Sequence, residues 1–272
     1  MAFAHHHSGN MGAFLMLDTL AARSGLRSVS PALKTLLSIG SLVLCVSAGD
    51  AVVGAAVACS MLVILRLPGR IPLNRLLRLL LAPAVFLALS CLVLLLTAAA
   101  EPVGIWQLRL GGLWLCITEE SLHRTAVLCF QALGAVCCLL FLGATTPMAQ
   151  LIEVMRRCHV PEVMIELMHL IYRYLFVLLE VQRQLTTAAS ARLGYDGWRR
   201  SVTTAGRVGG TLLASSFRRS SACYDAMEAR GYTGRLSFLC HMPPLRGRHV
   251  LAAGTYLALL CLLILVRKGR LF

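Results

Sequence analysis

The sequence is short of charge: Asp, Glu, Lys and Arg make up only 14% of its 272 residues, against about 25% in a soluble domain. With 58% hydrophobic residues and a mean hydropathy of +0.75, that shortage excludes a soluble globular protein. Period-2 alternation is missing from the apolar runs, so they are expected to cross lipid as helices and not as barrel strands. Lysine is nearly absent. Lys34 and Lys268 are the only two, and neither follows the glycines of a GxxxxGK[ST] loop, which excludes a P-loop nucleotide site. HExxH and GxSxG are missing as well, and with them the usual intramembrane hydrolases. The apolar runs carry almost no ionisable side chains, so the chain alone offers no relay for ion coupling. CxxC spacing is absent from the 11 cysteines. Cys45, Cys59, Cys91, Cys129, Cys137, Cys138 and Cys261 sit in apolar runs and read as small buried hydrophobes. Cys158-His159 and Cys240-His241 lack the two further donors of a metal site. No catalytic residue, metal site or cofactor is therefore expected in this chain.

What is present is arginine. It supplies almost all of the net charge of +14, an excess that points to cytoplasmic loops facing anionic lipid or an acidic partner. The arginines follow helical faces without interleaved aromatics, which argues against nucleic acid. The apolar run Ala13–Leu17 is too short for a cleaved signal peptide. His5, His6 and His7 are either native metal-buffering residues or an added tag.

Arg23, Arg27 and Lys34 place the N-terminus on the cytoplasmic side. Leu36–Leu65 is apolar apart from Asp50, and a carboxylate in mid-bilayer costs several kcal/mol. Two short spans joined at Gly49-Asp50 are therefore expected. Arg66, Arg70, Arg75 and Arg78 form a cytoplasmic link. Leu79–Ala98 is a third span with Pro83 inside it, residues 101–120 an external loop with Trp106 and Trp114 in the interfacial belt, and Thr125–Gly143 a fourth span. His249–Val266 is the last. It would leave Arg267, Lys268 and Arg270 outside, so either the C-terminus is an exception to the charge rule or one crossing is miscounted.

Between the fourth and last spans, Thr145–Gly234 is helical in pattern yet too charged for lipid. A first helix should start with Thr146 as N-cap and Pro147 at the first helical position. A second runs from Pro161 to about Arg192, with an apolar stripe of Met164, Leu167, Met168, Ile171, Leu175, Leu178 and Leu185. A third runs from about Arg199 to Arg230, with Val202, Ala205, Val208, Leu212, Ser216, Cys223 and Met227 along one side. Gly206 and Gly210 form a GxxxG pair that suggests a close helix crossing. The second and third helices end in Ala191-Arg192-Leu193 and Ala229-Arg230-Gly231. An arginine at a helix end projects a rigid fork of donors suited to carboxylates in a partner groove.

These residues carry a family resemblance. Thr145-Thr146-Pro147, the turn Val160-Pro161, Tyr172-Arg173-Tyr174, the run from Ala226 to Tyr232 and the lead-in from Leu26 to Lys34 resemble the transmembrane T component of energy-coupling-factor (ECF) transporters, specifically the cobalt-type CbiQ branch. The likeness covers effectively the whole chain. It implies a non-catalytic scaffold in the bacterial cytoplasmic (inner) membrane. Its coupling helices would dock through the two X-Arg-X motifs into a dimer of P-loop ATPase subunits (CbiO-like). Its membrane part would hold a substrate-binding S component (CbiM-like) and a small accessory membrane subunit (CbiN-like). ATP hydrolysis on the partners would then drive import of cobalt, with nickel second. Leu193 stands where the family often has glycine, so the second helix is expected to end one residue later, at Gly194.

The expected architecture is an all-α integral membrane protein with about five transmembrane helices plus long cytoplasmic amphipathic coupling helices. Its divisions are 1–143, 144–247 and 248–272. Two rivals are a membrane-anchored assembly protein that binds an acidic partner without ATP-driven motion, and an ion channel, for which the spans lack polar lining.

Overall fold

The computed structural model describes residues 21, 24–69, 71–95, 97–99, 106–110, 113–117, 119–234 and 243–269. They divide into two compact units, one within 19–147 and 242–272, the other within 148–241. The expected tag-like His5–His7, the Cys240-His241 pair and the side chains of Trp106 and Trp114 lie outside the described residues.

In the first unit, α1 (Pro31–Ala48) opens with proline at its first turn, where no N–H is needed, and ends at Gly49, whose φ of 61° is left-handed. Asp50 then caps α2 (Ala51–Arg66) by accepting the Val52 N–H at 3.2 Å. The expected hairpin is therefore made by the two residues that an apolar crossing could not hold. After it come α3 (Leu73–Leu95), α4 (Glu119–Thr145) and, beyond the second unit, α8 (Gly247–Gly269). α3 begins at Leu73 and not at Leu79, taking Arg75 and Arg78 into its first turns, and it runs through Pro83 without a break.

Four of these helices are long and apolar enough to cross a membrane: Pro31–Ala48, Leu73–Leu95, Glu119–Thr145 and Gly247–Arg267. The fifth expected crossing, α2, has 16 residues, about 24 Å of helix at ~1.5 Å per residue. Arg267 Nε stands 3.3 Å from Asp50 Oδ2. The end of α8 thus lies beside the α1–α2 turn.

Strands, and not the expected end of the third span at Ala98 and external loop over 101–120, occupy the described residues between 97 and 117. β1 (Thr97–Ala99), β2 (Trp106–Leu110) and β3 (Leu113–Ile117) form an antiparallel sheet in the order β1-β3-β2, with Leu110 opposite Leu113. The sequence signal was Gly111-Gly112 between two apolar runs, a two-residue hairpin connection.

α4 is the centre of the unit and packs on α1, α2 and α3, while α8 lies on α1 and α2. A polar seam runs along α1 and α4. Lys34 Nζ donates to the Thr145 carbonyl at 2.9 Å, Ser38 Oγ to the Cys138 carbonyl at 2.8 Å, and Ser41 Oγ lies 3.3 Å from Cys138 Sγ. Cys45 Sγ reaches the Gln131 carbonyl at 3.7 Å, and Gln131 Nε2 donates to the Val46 carbonyl at 2.6 Å. As the α1 numbers rise the α4 numbers fall, which is the register of two antiparallel helices. Cys45, Cys137 and Cys138 are buried small residues, as expected, whereas Cys59 and Cys261 are exposed on the outside of the bundle. That outside is apolar. On α3, Leu77, Leu81, Val85, Phe86, Leu89 and Val93 are exposed and only Leu76 is buried, a surface that lipid can solvate and water cannot.

The close crossing falls between Gly54 on α2 and Gly134 on α4. A Cβ at Gly54 would stand 2.6 Å from the Phe130 carbonyl carbon and oxygen, and one at Gly134 would stand 2.9 Å from the Gly54 carbonyl oxygen. Backbone cannot move aside as a side chain can. Replacing Gly54 with alanine should therefore cost about 1–3 kcal/mol, read as a lower thermal midpoint of the purified chain in detergent. Gly206→Ala, where a Cβ meets nothing within 4 Å, should instead gain about 0.5–1 kcal/mol of helix propensity. Equal midpoints for wild type and Gly54→Ala would mean that the helices do not cross there.

Candidate functional site

The second unit is built from α5 (Met148–Arg157), α6 (Glu162–Ala191) and α7 (Trp198–Glu228). α5 buries Ile152 and Val154. Thr146 was expected to cap it, but its Oγ1 is buried without a hydrogen-bond partner among the described residues, and the helix starts at Met148, beyond Pro147. Arg156 pairs with Glu153 at 3.2 Å near the helix end. His169 on α6 is pushed below its ordinary value, first by burial, with Glu153 opposing and Arg156 reinforcing the shift.

α6 and α7 form a helical hairpin joined by residues 192–197. All seven residues of the stripe expected on α7, from Val202 to Met227, line two grooves between the helices. Opposite them on α6 stand Leu167, Ile171, Leu178, Gln182 and Thr186. Tyr174 meets Cys223 in this seam, and the hydrogen bond between them, followed by burial, holds the phenol above its ordinary value. Gly206 and Gly210 do not join the seam. Both are exposed and a Cβ on either would meet nothing within 4 Å, so the close crossing expected of that pair is not made among the described residues. The α7 stripe already turns a different face to α6.

Three helix ends in this unit have the same geometry. His159, Leu193 and Gly231 each have positive φ, at 61°, 56° and 77°. In each case the next N–H reaches back five residues: Val160 to the Met155 carbonyl at 3.4 Å, Gly194 to Ala189 at 2.9 Å, and Tyr232 to Met227 at 3.1 Å. The left-handed residue itself bonds three back, Leu193 to Ser190 at 3.0 Å and Gly231 to Glu228 at 2.9 Å. This is the Schellman turn, which satisfies the carbonyls that a helix end leaves open. It places Cys158, Arg192 and Arg230 at the last position before the chain turns. The adjacent Cys158-His159 is thus a helix end, and among the described residues no group of three or more His, Cys, Asp or Glu could hold a metal.

The expectation for Leu193 needs correction. The left-handed position falls on Leu193 and not on Gly194, so a leucine adopts the conformation that glycine takes at Gly231. Gly194 is needed for a different reason: a Cβ there would stand 2.9 Å from the Ala189 carbonyl and 3.1 Å from Thr204 Oγ1. Ala191 is the last residue of α6, and Ala229 follows the last residue of α7. Arg192 and Arg230 are both exposed, and neither is in an ion pair among the described residues. The acid nearest in sequence to Arg192, Asp196, is 3.7 Å from Arg200. α6 has 30 residues, about 45 Å at ~1.5 Å per residue, so the two forks stand at opposite ends of the hairpin.

Each arginine cap is also tied to the other helix. Thr204 Oγ1 on α7 donates to the Gly194 carbonyl at 2.7 Å, and Tyr232 Oη donates to Glu166 Oε2 on α6 at 3.1 Å. Glu166 is only 9% exposed. Burial of the half-buried Tyr232, then its bond to Glu166, raise the phenol above its ordinary value. Sequence periodicity names neither tie, because each depends on the register between two helices.

The family described as CbiQ, cobalt transport protein, matches residues 23–239. The cobalt transport protein CbiQ of Rhodobacter capsulatus is 30% identical over 227 residues, 84% of this chain and 88% of its own length. The CbiQ protein of Salmonella typhimurium is 25% identical over 225 residues, 80% of this chain and 97% of its own. A protein described as a fused cobalt transport protein CbiMQ, from Methanocorpusculum labreanum, is 28% identical over 219 residues. The match takes in 80% of this chain but only 37% of that longer relative.

The two caps make opposite predictions. Leu193 is 70% exposed and packs little, so Leu193→Gly should relieve its left-handed strain and raise stability by about 0.5–1 kcal/mol. Gly231→Ala should lose about 1 kcal/mol. Thermal unfolding of the two variants beside wild type measures both, and a destabilised Leu193→Gly would show that the leucine side chain matters more than the φ angle.

Proposed function

The chain belongs to the CbiQ cobalt transport protein family, and on that premise we propose that it is the transmembrane coupling subunit of an ATP-driven importer for cobalt. It has no catalytic role of its own. In this reading its apolar helices sit in the bacterial inner membrane with the N-terminus cytoplasmic. Unit 148–241 then faces the cytoplasm. The α8 end lies outside, where Asp50 balances Arg267 and the departure from the positive-inside pattern is reduced.

The observation that carries the proposal is the pair of arginines, neither in an ion pair among the described residues, each fixed at a Schellman turn and separated by the length of the hairpin. A single ATPase groove could use one such fork. Two at opposite ends suit the two subunits of an ATPase dimer, each offering carboxylates to one guanidinium. ATP-driven motion of that dimer then pulls on the two ends of one helical pair, which passes it to a substrate-binding membrane component. The fused relative carries both the CbiM and CbiQ names on one chain, which supports a CbiM-like protein in that role; a CbiN-like accessory subunit is the further partner. Cobalt is proposed before nickel because the matched relatives are described by cobalt.

The test is a complex reconstituted in vesicles with the ATPase pair and the substrate-binding component, with labelled cobalt uptake and ATP hydrolysis measured together. Arg192→Ala and Arg230→Ala should each lower uptake roughly tenfold, as loss of a charge-assisted bond does. The double variant should assemble through its membrane unit but hydrolyse ATP without transport. Arginine-to-lysine variants should also be impaired, since an ammonium cannot make the bidentate contact. Normal uptake by the double variant would refute the assignment.

A further inference from the structure

Arg192 and Arg230 occupy equivalent places, and so do the residues that follow their left-handed turns. Gly194 and Tyr232 each bond in two directions. Along its own helix, the Gly194 N–H reaches Ala189 at 2.9 Å and the Tyr232 N–H reaches Met227 at 3.1 Å. Across to the other helix, the Gly194 carbonyl accepts from Thr204 Oγ1 at 2.7 Å, and Tyr232 Oη donates to Glu166 Oε2 at 3.1 Å. The first tie fits so closely that a Cβ at Gly194 would stand 3.1 Å from both Thr204 Oγ1 and Cγ2. The second ends on a carboxylate that is nearly buried.

A helix-terminal arginine anchored only through its own cap could swing with the fraying of the last turn. Local side-chain bonds inside α7, such as Thr203, Thr211 and Ser216 to the carbonyls four residues back, do nothing to prevent that. Ser201 Oγ on α7 also reaches the Tyr195 carbonyl in the turn at 3.2 Å, but among the described residues the Thr204 and Tyr232 bonds are the ones that join the residue after each left-handed turn to the opposite helix. They sit at the two ends of the hairpin, one beside each arginine. We infer that Thr204 and the Tyr232–Glu166 pair are positioning residues for force transfer: each locks one arginine cap to the neighbouring helix, so that a pull on either fork moves α6 and α7 as one body. This rests on the reading of Arg192 and Arg230 as ATPase contacts. The roles are specific. Thr204 acts through Arg192, and Tyr232 with Glu166 acts through Arg230.

The experiment uses the full reconstituted complex and reads ATP hydrolysed per cobalt ion imported. Thr204→Val keeps the shape and removes the donor, and Tyr232→Phe does the same. Each should leave assembly intact, lower cobalt uptake several-fold and raise the ATP consumed per ion. Thr204→Ser and Glu166→Gln preserve a donor and an acceptor respectively and should restore the wild-type ratio. Amide exchange on the same complexes supplies the second measurement. Thr204→Val should speed exchange several-fold at residues 193–195 and Tyr232→Phe at 231–233, with the middle of α6 unchanged. A wild-type ratio in Thr204→Val and Tyr232→Phe, with Arg192→Ala and Arg230→Ala uncoupled, would overturn the positioning role and leave the docking reading standing. Wild-type behaviour in the arginine variants as well would overturn the docking reading itself. Failure of Thr204→Ser to restore the ratio, or unchanged exchange at the caps, would also overturn the positioning role, because packing and not the hydrogen bond would then matter.

Discussion

An ammonium buried among apolar helices must find an acceptor or it costs several kcal/mol. Lys34, 3% exposed, finds it in the carbonyl of Thr145, the last residue of α4 and one of the carbonyls that a helix end leaves open. The helix dipole adds to the match, since a cation is favoured at a C-terminus. One bond therefore solves two problems, and it can form in only one register of α1 on α4. Ser38, Ser41, Cys45 and Gln131 continue that register along the seam. With α4 fixed against α1, the Gly54–Gly134 crossing sets how near α2 approaches. Because α4 ends at Thr145, the same bond also fixes where the chain leaves the membrane unit.

Beyond that point the controlling constraint is the left-handed turn. Each of α5, α6 and α7 has carbonyls to satisfy where it stops, and all three stop in the same way. Glycine at Gly231 adopts the turn freely. Leu193 and His159 adopt it under strain, and at Leu193 the strain is held by neighbours, because Gly194 is bonded back to Ala189 and across to Thr204. A strained residue persists only where its surroundings determine it. The arginine before each of the turns at Leu193 and Gly231 is then placed by backbone geometry, and its side chain stays exposed.

The parts of this arrangement that were legible in the sequence are those set by local spacing or by a single prohibitive cost. Asp50 could not lie in mid-bilayer, so the α1–α2 turn was readable, and the period of Val202 to Met227 named the α7 face that meets α6. What stayed hidden was relational. GxxxG spacing drew attention to Gly206 and Gly210, yet a close crossing needs glycines on two helices at one height, and those are Gly54 and Gly134, each unremarked in its own helix. Lys34 read as a cytoplasmic charge because nothing near it in sequence reveals Thr145. Gly194 read as a helix stop because the approach of Thr204 cannot be seen from one strand of text. The β2–β3 pairing, with Leu110 opposite Leu113, was visible in principle from Gly111-Gly112 in the sequence, but between two spans a plain loop is the simpler expectation.

α7 carries the argument furthest. It is 31 residues long and buries none of them, so core burial, which supplies most helical stability in proteins, contributes little here. Its interior gives only modest help: three glycines, at 206, 209 and 210, lower its propensity, and the hydroxyls bonded to carbonyls four residues back tend to bend a helix. What remains is the partial seam with α6 and the two ends. At one end Thr204 and the Gly194 carbonyl hold the first turns, and at the other the Gly231 turn and the Tyr232–Glu166 bond hold the last. A helix held chiefly at its ends has its order concentrated where the arginines are. That is the arrangement the proposed coupling role asks of a part that receives force at its tips, and it puts more structural weight on the bonds at the two ends than on the residues between them.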